Sequence, residues 1–273
     1  MLMDILKAFL ALGAMGLLFG GALSIASNFF YVKEDDRKEK ILEILPGANC
    51  GGCGYAGCAN YADAILSGEA PYNLCPGAKS EGASAIAALF GAEADEVVPM
   101  VAHIRCHGSD DFANKKYIYY GMNDCAAANR LLGGYMTCQY GCLGFGNCVK
   151  KCPANAIRIE NGVAVVDRDK CIGCSACLAA CPKNVIEMVP KDSKILVNCS
   201  NKDKGARTRE ACNIGCIGCK LCEKNCPEGA ITVDGNVAHI EYEKCVGCGI
   251  CAEKCPRKII DVSMVKKDES ETV

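Results

Sequence analysis

The feature that most constrains this chain is the stretch "CIGCSACLAACP" at residues 171–182, in which four cysteines keep a C-x2-C-x2-C-x3-C count and a proline closes it. The count recurs from Cys216 to Cys226 and from Cys245 to Cys255, each time followed by proline. Three thiolates at successive three-residue intervals wrap one face of a [4Fe–4S] cube, and the fourth ligates a neighbouring cube. Structural zinc is the competing reading, but it recruits two separated ligand pairs. With 24 cysteines among 273 residues and no tryptophan, metal rather than an aromatic core must organise much of the fold. A secreted disulfide scaffold would also be rich in thiols; the length, the ligand-type spacings and the need for reduced thiolates favour a reducing compartment. A net charge of −2 gives no general field for nucleic acid, so no nucleic-acid partner is expected.

The N-terminus poses a different problem. From Ala8 to Val32 the chain runs 25 residues without a charge, more than the ~20 needed to span a bilayer. Residues 1–32 are therefore predicted to be a transmembrane anchor. A cleaved signal peptide is the alternative, favoured by the small residues of "SIAS", but the run exceeds the usual apolar core of such peptides. Lys7 lies on one side of the run; Lys33, Arg37, Lys38 and Lys40 lie on the other. The positive-inside rule then puts the C-terminal body on the cytoplasmic side of the cell membrane.

The predicted fold class is α+β: the transmembrane helix, a small α-helical [4Fe–4S] domain over 33–100, and two bacterial-type 2[4Fe–4S] ferredoxin-like units over 138–196 and 212–265. Residues 101–137 read as a linker or part of a bracketing domain, 197–211 as a connector and 266–273 as a disordered tail. In the first domain Cys50, Cys53, Cys58 and Cys75 keep a C-x2-C-x4-C-x16-C spacing among glycines that let the backbone close around an inorganic core. Each ferredoxin-like unit places two short alternating runs around Asn161-Gly162 or Asp234-Gly235, the signal of a tight β-hairpin.

Cross-ligation then assigns the cubes. The motif "CQYGCLGFGNCVKKCP" reads as a stretched version, so Cys138, Cys142 and Cys148 take Cys181, while Cys171, Cys174 and Cys177 take Cys152. Cys216, Cys219 and Cys222 take Cys255; Cys245, Cys248 and Cys251 take Cys226. With the N-terminal set from Cys50 to Cys75 this makes five clusters. Cys106, Cys125, Cys199 and Cys212 bracket the first ferredoxin-like unit and either close a sixth cluster, with "KYIYYG" and "KILVNC" as strands, or are isolated buried thiols. No dinucleotide fingerprint follows a strand and no Walker loop is present, so no flavin or NAD is expected on this chain. No nucleophile–base constellation stands out, so no catalytic residue is assigned.

The N-terminal helix, "EILPGANCGGCGYAGCANYADAI" with its later "CPG", the phrase "GGYMTCQYGCLGFGNC" and "CNIGCIGCKLCEKNCPEGAI" together give a chain that resembles the B subunit of the Rnf complex, the membrane-bound ferredoxin:NAD+ oxidoreductase. The resemblance covers essentially the whole chain. It implies that reduced ferredoxin delivers electrons here, that other membrane and redox subunits of the complex carry them to NAD+, and that transfer is coupled to Na+ or H+ export. A polyferredoxin subunit of a hydrogenase or carbon monoxide dehydrogenase assembly is the competing role, and an iron–sulfur sensor or assembly scaffold a further one. Residues 33–100 carry 5 basic and 11 acidic side chains, and residues 138–196 carry 8 and 5. An acidic ferredoxin is therefore expected to land on the first ferredoxin-like unit, near Lys150, Lys151, Lys170 and Lys183.

Overall fold

The computed structural model describes residues 2–29, 35–93 and 98–262. It divides into two compact units, 1–40 and 41–273, each described by itself. In the first, α1 is an unbroken helix of 28 residues, Leu2–Phe29, about 42 Å long at the helical rise. Leu12, Leu17, Leu18, Phe19, Leu23 and Ile25 are all exposed, on opposite sides of the helix. Among the described residues no helix is long and apolar enough to cross a membrane. Residues 30–32, which end the expected anchor, and the expected tail 266–273 lie outside the described residues.

The second unit begins within α2 (Asp36–Ile44), whose Ile41 is buried. Ile41 and Leu45 join Tyr61 and Ile65 of α3 (Cys58–Leu66) and Ile86 of α4 (Lys79–Ala88) in one core. Tyr61 is fully buried. Its hydroxyl donates to the Pro71 carbonyl at 2.7 Å and accepts from the Leu74 N–H at 3.1 Å. A buried tyrosine is thereby satisfied, and the strap leading to Cys75 is fixed.

The rest of the unit is one plan built twice. In the first copy β1 (Met100–Ile104) pairs antiparallel with β4 (Ile186–Pro190), and β2 (Ile157–Glu160) forms a hairpin with β3 (Val163–Val166). In the second, β5 (Leu196–Val197) pairs with β8 (Ile260–Asp261) and β6 (Ile231–Asp234) with β7 (Val237–Ile240). The first hairpin turns on Asn161-Gly162 with φ of +45° and +78°, as a two-residue turn of type I′ requires. The second turns on Gly235-Asn236, one residue later than the sequence suggests. Strand pairing carries the first unit back to β1 and the second back to β5, so part of the expected linker, 101–104, is sheet. Residues 116–121, expected as a strand, form none.

A short code repeats at each Cys-Pro. Asn155, Asn184, Gly229 and Lys258, three residues after their cysteines, all have positive φ. Each donates its N–H back to the cysteine carbonyl, at 3.2–3.4 Å. The turn hands the chain to a buried isoleucine two residues on, Ile157, Ile186, Ile231 or Ile260. Proline cannot continue the helix before it, so each ligand helix stops where a strand begins. These helices are α6 (Asn147–Lys151), α7 (Ala176–Ala180), α9 (Leu221–Lys224) and α10 (Ile250–Glu253), and α6 packs on α7 as α10 does on α9.

Candidate metal centres

Aligning the four Cys-Pro turns also aligns what precedes them. Four times the chain sets cysteines at offsets 0, 6 and 10 with glycine at offset 2, beginning at Cys142, Cys171, Cys216 and Cys245. The glycines, Gly144, Gly173, Gly218 and Gly247, all have φ between +65° and +77°. A Cβ on Gly144 would stand 2.5 Å from the Gly162 carbonyl oxygen, and one on Gly173 2.6 Å from that of Met100, so backbone approaches there that no side chain permits. Offset 3 holds Cys174, Cys219 and Cys248 in three copies and Phe145 in the first.

That single exchange reorganises the first copy. Phe145 packs against Tyr119 and Tyr135, with ring centroids 5.4 and 5.5 Å away. The aromatic cluster holds down the segment that carries α5 (Cys125–Arg130). Asp124 caps α5 by accepting from the Ala127 N–H at 2.8 Å, Asn147 of α6 donates to Asp124 at 2.9 Å, and the Cys125 N–H donates to Asn147 at 3.0 Å. Cys125 is thus drawn to the start of α6.

Three cavities lie among the ligand turns. Cys216, Cys219, Cys222 and Cys255 line one, and Cys226, Cys245, Cys248 and Cys251 line another. A third is lined by Cys125, Cys142, Cys148 and Cys181. Here the structure departs from the expected sets: Cys138 does not line this cavity, and Cys125, expected among the bracketing four, does. The physical reason is the register above. The motif is not stretched; it is regular, with Phe145 in the place of its second thiol. Cys138 lines a different cavity, with Cys106, Cys199 and Cys212.

Cys152, Cys171 and Cys174 face Cys177, adding their charge to the effect of burial on its thiol. Cys53 and Cys58 do the same for Cys75. Cys58 opens α3, and its N–H donates to Asn49 Oδ1 at 2.9 Å. The glycine loop of the N-terminal domain reaches the first ferredoxin-like unit: a Cβ on Gly52 would lie 3.0 Å from the Cys174 carbonyl oxygen.

Burial pushes the Cys148 thiol up to about 12 and those of Cys177, Cys199, Cys222 and Cys251 up to about 11. Cys106, Cys138 and Cys142 move the same way for the same reason. Alone, these sulfurs would stay protonated at neutral pH; as thiolates they need a cation to offset the loss of water. Backbone N–H groups aim at other sulfurs of the ligand turns, with Ala102 donating to Cys171 Sγ at 3.4 Å and Ala156 to Cys152 Sγ at 3.3 Å. Such bonds tune the reduction potential of an iron–sulfur centre. Among the described residues no three ligand side chains gather around a point that a single ion could occupy; the thiols surround cavities instead.

The expected docking lysines separate. Lys150 and Lys151 end α6 and are exposed, and Lys170 is exposed beside Asp167, 3.4 Å away. Lys183 is not available to a partner, because its Nζ donates to the carbonyls of Gly133 and Gln139 at 2.5 and 2.6 Å and so ties down the loop between them.

Serial thiol-lined cavities on duplicated ligand turns define an iron–sulfur electron carrier of the polyferredoxin class. Residues 45–76 match the family described as a putative Fe-S cluster, and residues 136–187, 170–231 and 215–262 each match a 4Fe-4S dicluster domain. The chain is 48% identical over 229 residues to the B subunit of the proton-translocating ferredoxin:NAD(+) oxidoreductase complex of Clostridium ljungdahlii, covering 83% of this chain and 81% of that one. It is 43% identical to the Na(+)-translocating counterpart of Acetobacterium woodii, covering 85% and 70%. With the B subunit of the ion-translocating oxidoreductase complex of Methanosarcina acetivorans it shares 40% identity, covering 88% and 91%. The chain belongs to the family formed by the B subunit of the Rnf-type ferredoxin:NAD+ oxidoreductase complex. It carries multiple [4Fe–4S] clusters and transfers electrons as part of that oxidoreductase.

Proposed function

We propose that this chain accepts single electrons from reduced ferredoxin and relays them to the other redox subunits of its complex, which reduces NAD+ and exports Na+ or H+. The observation that carries the reading is the series of thiol-lined sites in contact within one compact unit, from the loop of Gly52 through Cys174 to the second ferredoxin-like unit. We assign five ligand sets, the last four supported by the cavities and neighbours above and the first by its spacing: Cys50, Cys53, Cys58 and Cys75; Cys125, Cys142, Cys148 and Cys181; Cys152, Cys171, Cys174 and Cys177; Cys216, Cys219, Cys222 and Cys255; and Cys226, Cys245, Cys248 and Cys251. A bound cube supplies a one-electron couple at each; the chain's own part is to hold the thiolates, aim N–H groups at sulfur and exclude water.

Single-pass anchoring of α1 in the lipid bilayer, with the cluster-bearing body in the cytoplasm, is the second element of the proposal. It is supported by the uncharged run from Ala8, the 28-residue helix and its exposed leucines. From Ala8 to the end of the helix no residue is ionisable, so ion movement belongs to other subunits.

Ferredoxin approaches the surface that bears Lys150, Lys151 and Lys170. A second face is favoured by a separate observation: Cys219 and Cys248 are exposed, which brings two sites of the second ferredoxin-like unit to solvent. The test uses the anaerobically purified full chain. Substituting Lys150, Lys151 and Lys170 by glutamate should slow reduction by ferredoxin about tenfold at low salt, with the difference fading as salt screens charge over a Debye length of about 10 Å at 0.1 M. Iron content and reduction by a small neutral donor should stay unchanged. A wild-type rate at low salt would move entry to the face of Cys219 and Cys248. About 8 irons or fewer per chain, counting four per cube, or zinc as the main metal, would overturn the relay itself.

A further inference from the structure

The cavity lined by Cys106, Cys138, Cys199 and Cys212 lies where the two ferredoxin-like units meet. Like each of the three cavities on the ligand turns, it is lined by four cysteines. The four cysteines are equivalent pairs. Cys106 follows the last residue of β1 by two positions and Cys199 follows β5 by two. Cys138 precedes Cys142 in "CQYGC", and Cys212 precedes Cys216 in "CNIGC". Each unit therefore contributes the same two thiols, one after its first strand and one ahead of its first ligand turn, to a site with approximate twofold symmetry.

We propose that this cavity holds a sixth [4Fe–4S] centre on Cys106, Cys138, Cys199 and Cys212, and that this centre is the electronic bridge between the two ferredoxin-like units. The proposal rests on the relay reading above but on neither of its docking faces. Three further observations support it. A Cβ added to Gly108 would stand 3.4 Å from Cys212 Sγ and 3.7 Å from Cys106 Sγ, so sulfurs from both units converge on a stretch of backbone without a side chain. Two residues lining the cavity each keep a buried donor without a partner, Arg105 at Nε and Asn201 at Nδ2. Unpaired buried donors are rare, and the sulfur of a bound cube is an acceptor for them.

The third observation concerns connection. The Cys142 N–H donates to Cys106 Sγ at 3.4 Å, and the Cys216 N–H donates to Cys199 Sγ at 3.3 Å. Cys142 lines the cavity of Cys125, Cys148 and Cys181, and Cys216 that of Cys219, Cys222 and Cys255. On each side, then, a ligand of the bridging site is one hydrogen bond from a ligand of the next. One electron enters as the centre in the first unit is oxidised and one leaves as the centre in the second is reduced. No bond is made or broken and no proton moves.

The ligand exchange makes the test decisive. Full-length chain purified without oxygen should hold about 24 irons, four for each of six cubes, and its native mass should carry six cube increments. Because Cys106 and Cys138 share a cube, the double variant Cys106→Ser/Cys138→Ser should lose about four irons, and because Cys106 and Cys125 serve different cubes, Cys106→Ser/Cys125→Ser should lose about eight. The reverse pattern would place Cys138 back with Cys142 and overturn the site. In the first variant the EPR spectrum of the reduced chain should lose one spin and the broadening that the central cube imposes on its neighbours. If a serine pair blocks assembly altogether, the wild-type mass decides alone. Five increments remove this centre and leave the relay standing, whereas about 22 irons would place a two-iron cluster in the cavity and refute the cube.

Discussion

Arg105 joins the two ferredoxin-like units through bonds that can be removed one at a time. Its Nη1 stands 3.4 Å from Glu187 on β4 and donates to Nδ1 of His239 at 3.0 Å, and its Nη2 donates to the Ala238 carbonyl of β7 at 2.8 Å. Arg105 itself is only 9% exposed. Arg105→Met keeps an unbranched apolar stem and deletes every polar contact. The bond from a charged donor to the Ala238 carbonyl is worth about 1.5–3 kcal/mol. The ion pair adds less than about 1 kcal/mol, since Glu187 keeps 32% of its side-chain exposure. The total is about 3 kcal/mol, enough to decide whether the units stay docked. Because unfolding of a cluster protein is irreversible, the assay is a rate: visible bleaching of the anaerobic chain in denaturant should quicken on the order of 100-fold if the contact is absent from the transition state. Glu187→Gln alone should do little. In the Arg105→Met background it should restore part of the loss, because burial already pushes the Glu187 carboxyl up and Arg105 opposes that shift. A bleaching rate for Arg105→Met within threefold of wild type would refute the assignment of Arg105 as the clasp.

Acid should weaken the same junction through His103, whose Nε2 lies 3.2 Å from the Val197 carbonyl. Burial lowers its pKa from 6.5 to about 4, so its contribution is fully present above pH 6.5 and is lost as pH falls from there to about 4, up to about 3 kcal/mol in all. His103→Gln should flatten that part of the stability profile, and a variant with the wild-type slope would disprove the role. Gly144→Ala combines φ of +69° with a Cβ 2.5 Å from a carbonyl oxygen and should cost about 2–4 kcal/mol, whereas Gly229→Ala, at φ +60° with nothing within 4 Å, should cost about 1 kcal/mol. Equal losses in thermal unfolding would show that close approach is not the constraint at Gly144. Deleting residues 1–32 should leave the body from Ile41 onward soluble with its iron complete, since that unit has its own core; iron lost on truncation would give the helix a structural part.

Much of this is readable from spacing, because the ligand turns impose it. The C-x2-C-x2-C-x3-C-P count locates three of four turns, and the hairpins show in Asn161-Gly162 and, one residue early, in Asp234-Gly235, since only a narrow set of residues accepts positive φ. The strands that close each sheet are harder to see. β5 and β8 are two residues each, too short for periodicity to register, and β1 ends 82 residues before its partner β4 begins, a separation that sequence pattern does not report. Counting cysteines alone hides the exchange of Cys125 and Cys138. Counting from the glycine at offset 2 finds it: Gly144, Gly173, Gly218 and Gly247 align Cys142, not Cys138, with Cys171, Cys216 and Cys245. No local pattern could say that Cys125 fills the gap at Phe145, because the aromatic packing of Phe145 with Tyr119 and Tyr135 that draws α5 in is a tertiary fact. Lys183 misleads for a similar reason, since a lysine that bonds two carbonyls looks, in sequence, like one that meets solvent.

The order of sites in space differs from the order of cysteines in the chain, and cross-ligation is the reason. Cys152 closes the first turn of its unit yet faces Cys177, while Cys181 closes the second and lines the cavity of Cys142 and Cys148. The second unit repeats this with Cys226 and Cys255. With the ligand sets proposed above, neither turn of a pair would hold a cube without the other, so the two sites of a unit would form together, and with them the packing of α6 on α7 and α9 on α10. Docking of units is a separate matter, carried by Arg105, His103 and the cavity between them. The loop of Gly52 rests on Cys174 of the first unit, and Cys219 and Cys248 of the second are exposed. The thiols of Cys106, Cys138, Cys199 and Cys212 line the cavity at the junction between the units, which the proposed relay would have to cross because the two units share no ligand in the five sets assigned above.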